Sequence, residues 1–134
     1  MTKILDIEGI GPVFQKKLID AGVRTTNKLL QVGATKKGRG DLAGLTGITE
    51  TLILEWVNLA DLMRVKGVGS EYSDLLEEAG VDTVKELRNR KPENLFKSMV
   101  ETNQKKKLVR RTPSLKEVTR WVKEAKELPP VVKY

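Results

Sequence analysis

Apolar residues recur at three-to-four spacing in two long stretches of the chain, one in each half. In the first half they are Leu52, Ile53, Trp56, Val57, Leu59, Ala60 and Met63. In the second half they are Leu115, Val118, Trp121, Val122 and Ala125. This spacing places apolar side chains on one face of an α-helix, and no segment sustains the period of two that is typical of a β-strand. The sequence therefore predicts an all-α protein, with both tryptophans in its core.

Residues that start and end helices divide the rest of the chain into shorter elements. Pro12 suits the first position of a helix, where its missing N–H costs nothing. Gly22 and Gly80 each follow an alanine in "AGV", as expected for the left-handed glycine just after a helix. Thr83 and Glu86 have the spacing of a capping box. These signals predict short helices joined by tight turns.

An internal repeat relates the two halves. Residues 7–30 align with residues 65–88 without a gap, and eight of the 24 aligned positions are identical. Each copy opens on an aliphatic–x–Gly–aliphatic–Gly run, "IEGIG" in the first and "VKGVG" in the second. Internal repeats of this kind are the mark of a duplicated structural unit.

A Trp-x-x-x-Ala sequence extends the repeat and sets the domain boundaries. It occurs at Trp56 and again at Trp121, an offset of 65 positions compared with 58 for the glycine runs. The second copy therefore holds seven additional residues between these anchors. We predict a first unit of residues 1–62, a second unit of residues 63–128 with a basic insertion at 102–112, and a C-terminal tail of residues 129–134.

Positive charge is concentrated in the second half. The chain has a net charge of +7. Residues 1–62 contribute +1 and residues 63–134 contribute +6, with five positive charges in "KKKLVRR" at 105–111. Such a cluster favours a polyanion, either nucleic acid or an acidic protein surface. A solvated loop on a basic protein explains the cluster equally well.

The residue types that are missing argue against catalysis. The chain has neither cysteine nor histidine, which excludes disulfides, zinc sites of the Cys/His type and imidazole acid–base chemistry. No acidic pair is marked as catalytic, and no nucleotide-binding glycine loop follows a strand. We expect a non-enzymatic protein without a cofactor or a metal. No apolar run approaches the ~20 residues that span a bilayer, which indicates a cytoplasmic protein with no membrane contact.

The glycine runs have their own binding chemistry. A turn of this kind leaves backbone N–H groups unpaired at the start of the next helix, where the helix dipole also attracts anions. A nucleic-acid phosphate is a natural ligand for such a site. The alternative is a turn that only packs two helices together. The predicted hairpin residues are Gly9, Gly11, Val13, Gly67, Gly69 and Ser70.

The glycine run, the helix after it and the following "AGV" together resemble the helix-hairpin-helix motif. The first copy resembles the N-terminal helix-hairpin-helix domain of archaeal and eukaryotic strand-exchange recombinases, with "LTGIT" at 45–49 in the place of a second hairpin. Over its full length the chain resembles a small family of bacterial and archaeal tandem helix-hairpin-helix proteins, known only as a domain of unknown function. "GRGDLAGLTGI", "EWVNLADLMRVKGVG" and "AGVDTVKEL" carry this resemblance. It implies two tandem helix-hairpin-helix (SAM-like) units and contacts to the DNA backbone.

The chain departs from the motif at positions that matter for function. Val13 and Glu71 stand where DNA-binding examples often carry Lys or Arg, and the hairpin expected near 102–112 has no glycines. These departures weaken the assignment of DNA contacts to the hairpins and are compatible with a binding role that has moved to the basic loop. The candidate basic patch consists of Lys105, Lys106, Lys107, Arg110 and Arg111, with Lys16, Lys17, Lys36, Lys37 and Arg39 as an extension in the first copy.

Two functions remain open. The first is sequence-independent nucleic-acid binding, with double-stranded DNA as the favoured ligand. The second is a protein-interaction or scaffolding module that keeps the fold without binding DNA, which the acidic Glu71 favours. The choice between DNA and RNA, the identity of any protein partner and the oligomeric state are not determined by the sequence.

Overall fold

The computed structural model describes residues 3–134 and contains eight α-helices. A short 3-10 helix, Ile4–Asp6, precedes them. The helices are α1 Pro12–Asp20, α2 Thr26–Gly33, α3 Lys36–Thr46, α4 Glu50–Leu62, α5 Ser70–Glu78, α6 Val84–Leu87, α7 Pro92–Lys106 and α8 Leu115–Ala125. Within the described residues the β pairing is limited to an isolated bridge between Lys3 and Thr25. The prediction of an all-α protein is confirmed.

Helices α1 and α6 begin at residues that the sequence marks as helix starts, and a further cap precedes α8. Pro12 is at the first position of α1. The hydroxyl of Thr83 accepts a hydrogen bond from the N–H of Glu86 at 3.3 Å, at the start of α6. At the start of α8, Ser114 and Glu117 form a complete capping box. Side-chain oxygens thus satisfy N–H groups that helix geometry leaves without partners.

The chain folds into two compact units. The first comprises Met1–Asp61 with Val131–Tyr134, and the second comprises Leu62–Pro130. The last residues join the first unit through backbone hydrogen bonds, since the N–H of Lys133 donates to the carbonyl of Ala34 at 2.7 Å. Residues Val131–Tyr134, which the sequence sets apart as part of a tail, therefore belong to a folded unit.

Each unit is built around one tryptophan. Trp56 and Trp121 are 1% and 0% exposed, as predicted for core residues. In the first unit Phe14 packs against Trp56 with ring centroids 5.1 Å apart. In the second unit Tyr72 packs against Trp121 at 5.2 Å. The remaining core is aliphatic and comes from the apolar faces of the surrounding helices.

The two glycine runs have the same backbone structure. The N–H groups of Ile10 and Val68 donate to carbonyls three residues earlier, at 3.2 and 3.0 Å. The first glycine of each run has a positive φ, 95° at Gly9 and 90° at Gly67, a region that favours glycine. A Cβ added to Gly67 would lie 3.3 Å from Nε1 of Trp121. The first glycine is therefore required by the backbone and by the tryptophan beside it.

Candidate nucleic-acid interface

The second glycine run leads directly into α5. Gly69 precedes the helix, and its carbonyl accepts from the N–H of Ser73 at 2.9 Å. Helix geometry leaves the N–H groups of the first turn without partners inside the helix, and glycine has no side chain to cap them. Glu71 lies exposed in that turn. The turn thus offers backbone donors to an anion, but it also carries a negative charge.

The first glycine run offers fewer donors, and the first turn of the helix after it contains no acidic residue. Pro12 follows Gly11 and has no N–H. Val13, one of the predicted hairpin residues, is 69% exposed. Of the two lysines on α1, Lys16 pairs with Asp20 at 3.2 Å, while Lys17 is exposed. Apolar surface therefore adjoins this turn.

The basic loop, residues 105–111, has a defined structure. It follows α7 through Lys107, which has a positive φ of 51° where the corresponding end of α3 has Gly47 at 74°. The side chain of Asn103 then holds the loop closed: its Nδ2 donates to the carbonyl of Val109 at 3.1 Å, and its Oδ1 accepts from the N–H of Val109 at 2.9 Å. Val109 is 7% exposed. The backbone of the loop is therefore anchored in the core at Val109.

A hydrogen bond joins the basic loop to the second glycine run. The hydroxyl of Tyr72, in the first turn of α5, donates to the carbonyl of Arg111 at 2.9 Å. The two residues are 39 positions apart in sequence. The structure therefore brings together two of the predicted sites, the turn at Gly69–Ser70 and the basic loop.

Two of the five cations of the basic loop are paired with acids. Lys106 forms an ion pair with Glu78. Arg111 donates two hydrogen bonds to Glu117, at 2.9 and 3.1 Å. The guanidinium of Arg111, followed by the backbone N–H of Ser114, lowers the pKa of Glu117 to about 2. Both contacts neutralise charge that the sequence alone leaves free.

The other three cations of the loop, Lys105, Lys107 and Arg110, are exposed. None of them forms an ion pair with any residue from 3 to 134. These three side chains are the part of the predicted basic patch that is available to an external anion in the second unit.

The cations predicted as an extension belong to the first unit and have different environments. Lys36 is exposed, and Lys37 pairs with Asp41 at 2.9 Å. Arg39 differs from the expectation of a surface cation, since it is 4% exposed. Its guanidinium donates to the carbonyls of Gly33 and Lys133, both at 2.8 Å. Arg39 holds the end of the chain to the first unit and does not contribute to a basic surface.

Three exposed cations outside the predicted set lie on α8: Lys116, Arg120 and Lys123. They line a surface groove with Leu115 and Thr119. The signal that locates them is in the sequence, because the apolar stripe of α8 fixes its buried face and places these residues opposite it.

A comparison with known protein families identifies the family of the chain. Residues 8–128 match the family described as a domain of unknown function, DUF4332. The chain belongs to this family. No curated protein and no solved structure matches the DUF4332 chain. Among its described residues, no helix is long and apolar enough to cross a membrane. The resemblance to a family known only as a domain of unknown function is thus confirmed.

Proposed function

We propose that this DUF4332 protein is a non-enzymatic module that binds nucleic acid independently of sequence, with duplex DNA as the favoured ligand. One observation carries the proposal: the hydrogen bond from Tyr72 to Arg111 holds the basic loop against the second glycine turn. The loop that carries the exposed cations Lys105, Lys107 and Arg110 is therefore hydrogen-bonded to the first turn of α5, which offers the backbone donors.

The proposal includes the helix-hairpin-helix character of the two units and their origin by duplication. The matching hydrogen bonds of the two glycine runs support it, as do the ring pairs Phe14–Trp56 and Tyr72–Trp121. The left-handed residues Gly47 and Lys107 occupy equivalent helix ends, and each donates its N–H to the carbonyl four residues earlier at 2.8 Å. On this view the basic loop is the second hairpin of the second unit, lengthened and rich in lysine and arginine.

Side-chain charge supplies most of the affinity in this mechanism. Glu71 repels phosphate at the turn, whereas Lys105, Lys107 and Arg110 are exposed and form no ion pair with residues 3–134. Cations that neutralise phosphates release counterions, and each contact adds about −0.9 to the slope of log affinity against log salt on B-DNA. Three loop cations therefore contribute about −2.7 to that slope. Contacts of this kind position a protein on the backbone and carry no sequence information.

Protein interaction is the second candidate, and exposed apolar residues of the first unit favour it. Val13 and Leu45 are 69% and 76% exposed. Each lies two positions from a glycine of a turn in that unit, Gly11 or Gly47. Apolar side chains at these positions suit a protein partner and cannot themselves bind phosphate.

Fluorescence anisotropy with labelled 20-base-pair duplex DNA, single-stranded DNA and RNA, at 50 and 200 mM salt, tests the proposal. We expect duplex DNA to bind most tightly and affinity to fall with salt. Replacing Lys105, Lys107 and Arg110 with Gln should make the slope shallower by about 2.7. The matched control replaces Lys3, Arg24 and Lys28 with Gln; these exposed cations of the first unit lie outside the predicted patch, and their removal changes the net charge equally.

Two results would contradict the proposal. One is the failure of every probe to bind more tightly than about 100 μM at 50 mM salt, which is the weak limit of non-specific binding. The other is an equal loss of affinity in the loop variant and in its charge-matched control, which would show a response to net charge alone. Circular dichroism of each variant establishes that it is folded.

A further inference from the structure

The exposed face of α8 carries three cations. Val118, Trp121, Val122 and Ala125 are buried, and the positions opposite them are exposed: Lys116, Thr119, Arg120 and Lys123. These residues, with Leu115, line a groove on the surface of the second unit. None of the three cations forms an ion pair within the described part of the chain.

The acids of α8 are occupied elsewhere. Glu117 accepts two hydrogen bonds from Arg111 and caps the helix at Ser114. Glu124 accepts a hydrogen bond from the backbone N–H of Lys66 at 2.8 Å. Because these carboxylates hold other segments of the second unit, the positive charge of the groove is not neutralised.

This arrangement opposes the stability of the helix. Lys116 lies in the first turn, where the helix dipole disfavours a cation. Lys116 and Arg120 are four residues apart, and like charges at that spacing repel each other. A polyanion in the groove would relieve both effects.

The groove adjoins the second glycine turn. Nη2 of Arg120 lies 3.6 Å from the position that a Cβ on Gly67 would occupy. Along the helix, Lys116 and Arg120 are separated by about 6 Å, and Arg120 and Lys123 by about 4.5 Å. Phosphates of one strand of B-DNA repeat every ~3.4 Å along the axis, so these cations span about three of them.

We propose that the groove of α8 binds the phosphate backbone of duplex DNA and forms a second contact track beside the glycine turn at Gly67. This inference rests on the proposed function and adds three contacts to those of the basic loop. Lys116, Arg120 and Lys123 act as phosphate-binding residues, and Arg120 connects the track to the turn.

Salt-dependent anisotropy with the 20-base-pair duplex tests the inference on the full chain. Six contacts give a slope of about −5.4, so the wild-type protein loses affinity about 1,800-fold between 50 and 200 mM salt. The variant with Gln at 116, 120 and 123 retains three contacts and loses only about 40-fold over the same range. A second variant, Thr119→Glu, keeps all three cations and places a carboxylate among them. It should also weaken binding and make the salt dependence shallower.

The outcomes separate the two proposals. If the wild-type protein binds and the loop variant is weakened while both α8 variants match the wild type, the α8 track is wrong and the proposed function stands. If the wild-type protein does not bind, both are wrong. In a third arm of the experiment, poly-glutamate is added as a competitor of the labelled duplex, at the same total charge as unlabelled duplex. Competition equal to that of unlabelled duplex would overturn the assignment of the groove to DNA and identify it as a site for acidic protein segments.

Discussion

The substitution Gly67→Ala should destabilise the second unit, whereas Gly69→Ala, two residues later, should not. Gly67 has a φ of 90°, and an L-residue in the left-handed region costs about 1–2 kcal/mol. Its Cβ would also lie 3.3 Å from Nε1 of Trp121, a buried side chain. We therefore expect Gly67→Ala to lower the free energy of unfolding by about 1–2 kcal/mol.

Gly69 provides the matched control. Its φ is −104°, and an added Cβ would have no atom within 4 Å. Alanine is a poorer N-cap than glycine, but it also reduces the entropy of the unfolded chain. The two effects oppose each other at about 0.5–1 kcal/mol each. The net change should stay within about 0.5 kcal/mol.

Urea unfolding followed by far-UV circular dichroism and tryptophan fluorescence measures both variants. The same comparison in the first unit uses Gly9→Ala, where φ is 95° and Trp56 Nε1 lies 3.4 Å from the added Cβ. Its control is Gly11→Ala, where no atom lies within 4 Å. Equal midpoints for the first-glycine and second-glycine variants would refute the argument that backbone conformation distinguishes them.

Three further predictions concern other parts of the fold. Gly38→Ala should lower the free energy of unfolding by at least about 2 kcal/mol, because its Cβ would lie 2.0 Å from the carbonyl oxygen of Val32 in the preceding helix. Gly44→Ala, on the same helix and with open space around the added Cβ, should raise the free energy of unfolding by about 0.5–1 kcal/mol. Chemical denaturation measures both changes. Asn103→Ala should lower the free energy of unfolding by about 1–3 kcal/mol and weaken DNA binding, because the backbone N–H and carbonyl of Val109 both lose their hydrogen-bond partner. An unchanged rate of amide hydrogen exchange at Val109 would contradict this. The pKa of Glu117 is lowered to about 2 from a usual value of 4.5, so its carboxylate stabilises the fold above pH 4.5 and that stabilisation is lost as the pH falls toward 2. Unfolding measured from pH 5 to 2 should show a smaller decline in Glu117→Gln, and an identical decline would contradict the assignment.

About half of the candidate site could be predicted from sequence. The cations of the basic loop form a continuous cluster that is visible in the chain, and the helix after Gly69 follows from the glycine run. Which cations are available could not be predicted, because Lys106 and Arg111 are neutralised by Glu78 and Glu117 through contacts that depend on the folded loop.

Features that rest on local interactions can be predicted from the chain alone. The helix starts at Pro12 and Thr83, the repeated glycine runs and the burial of the two tryptophans all follow from the residue types of short segments. Capping, backbone conformation and the period of the helix act within a few residues, so a single stretch of chain is enough to read them.

The way distant segments combine depends on the three-dimensional packing of the chain. Tyr72 and Arg111 meet across 39 positions, and Arg39 reaches Lys133 across 94. A cation on the printed chain has the same charge whether it is buried against carbonyls, paired with an acid or exposed to solvent. The residues around the cation in the folded protein determine which of these environments it has. Those neighbours depend on how the helices pack, which no local sequence pattern specifies.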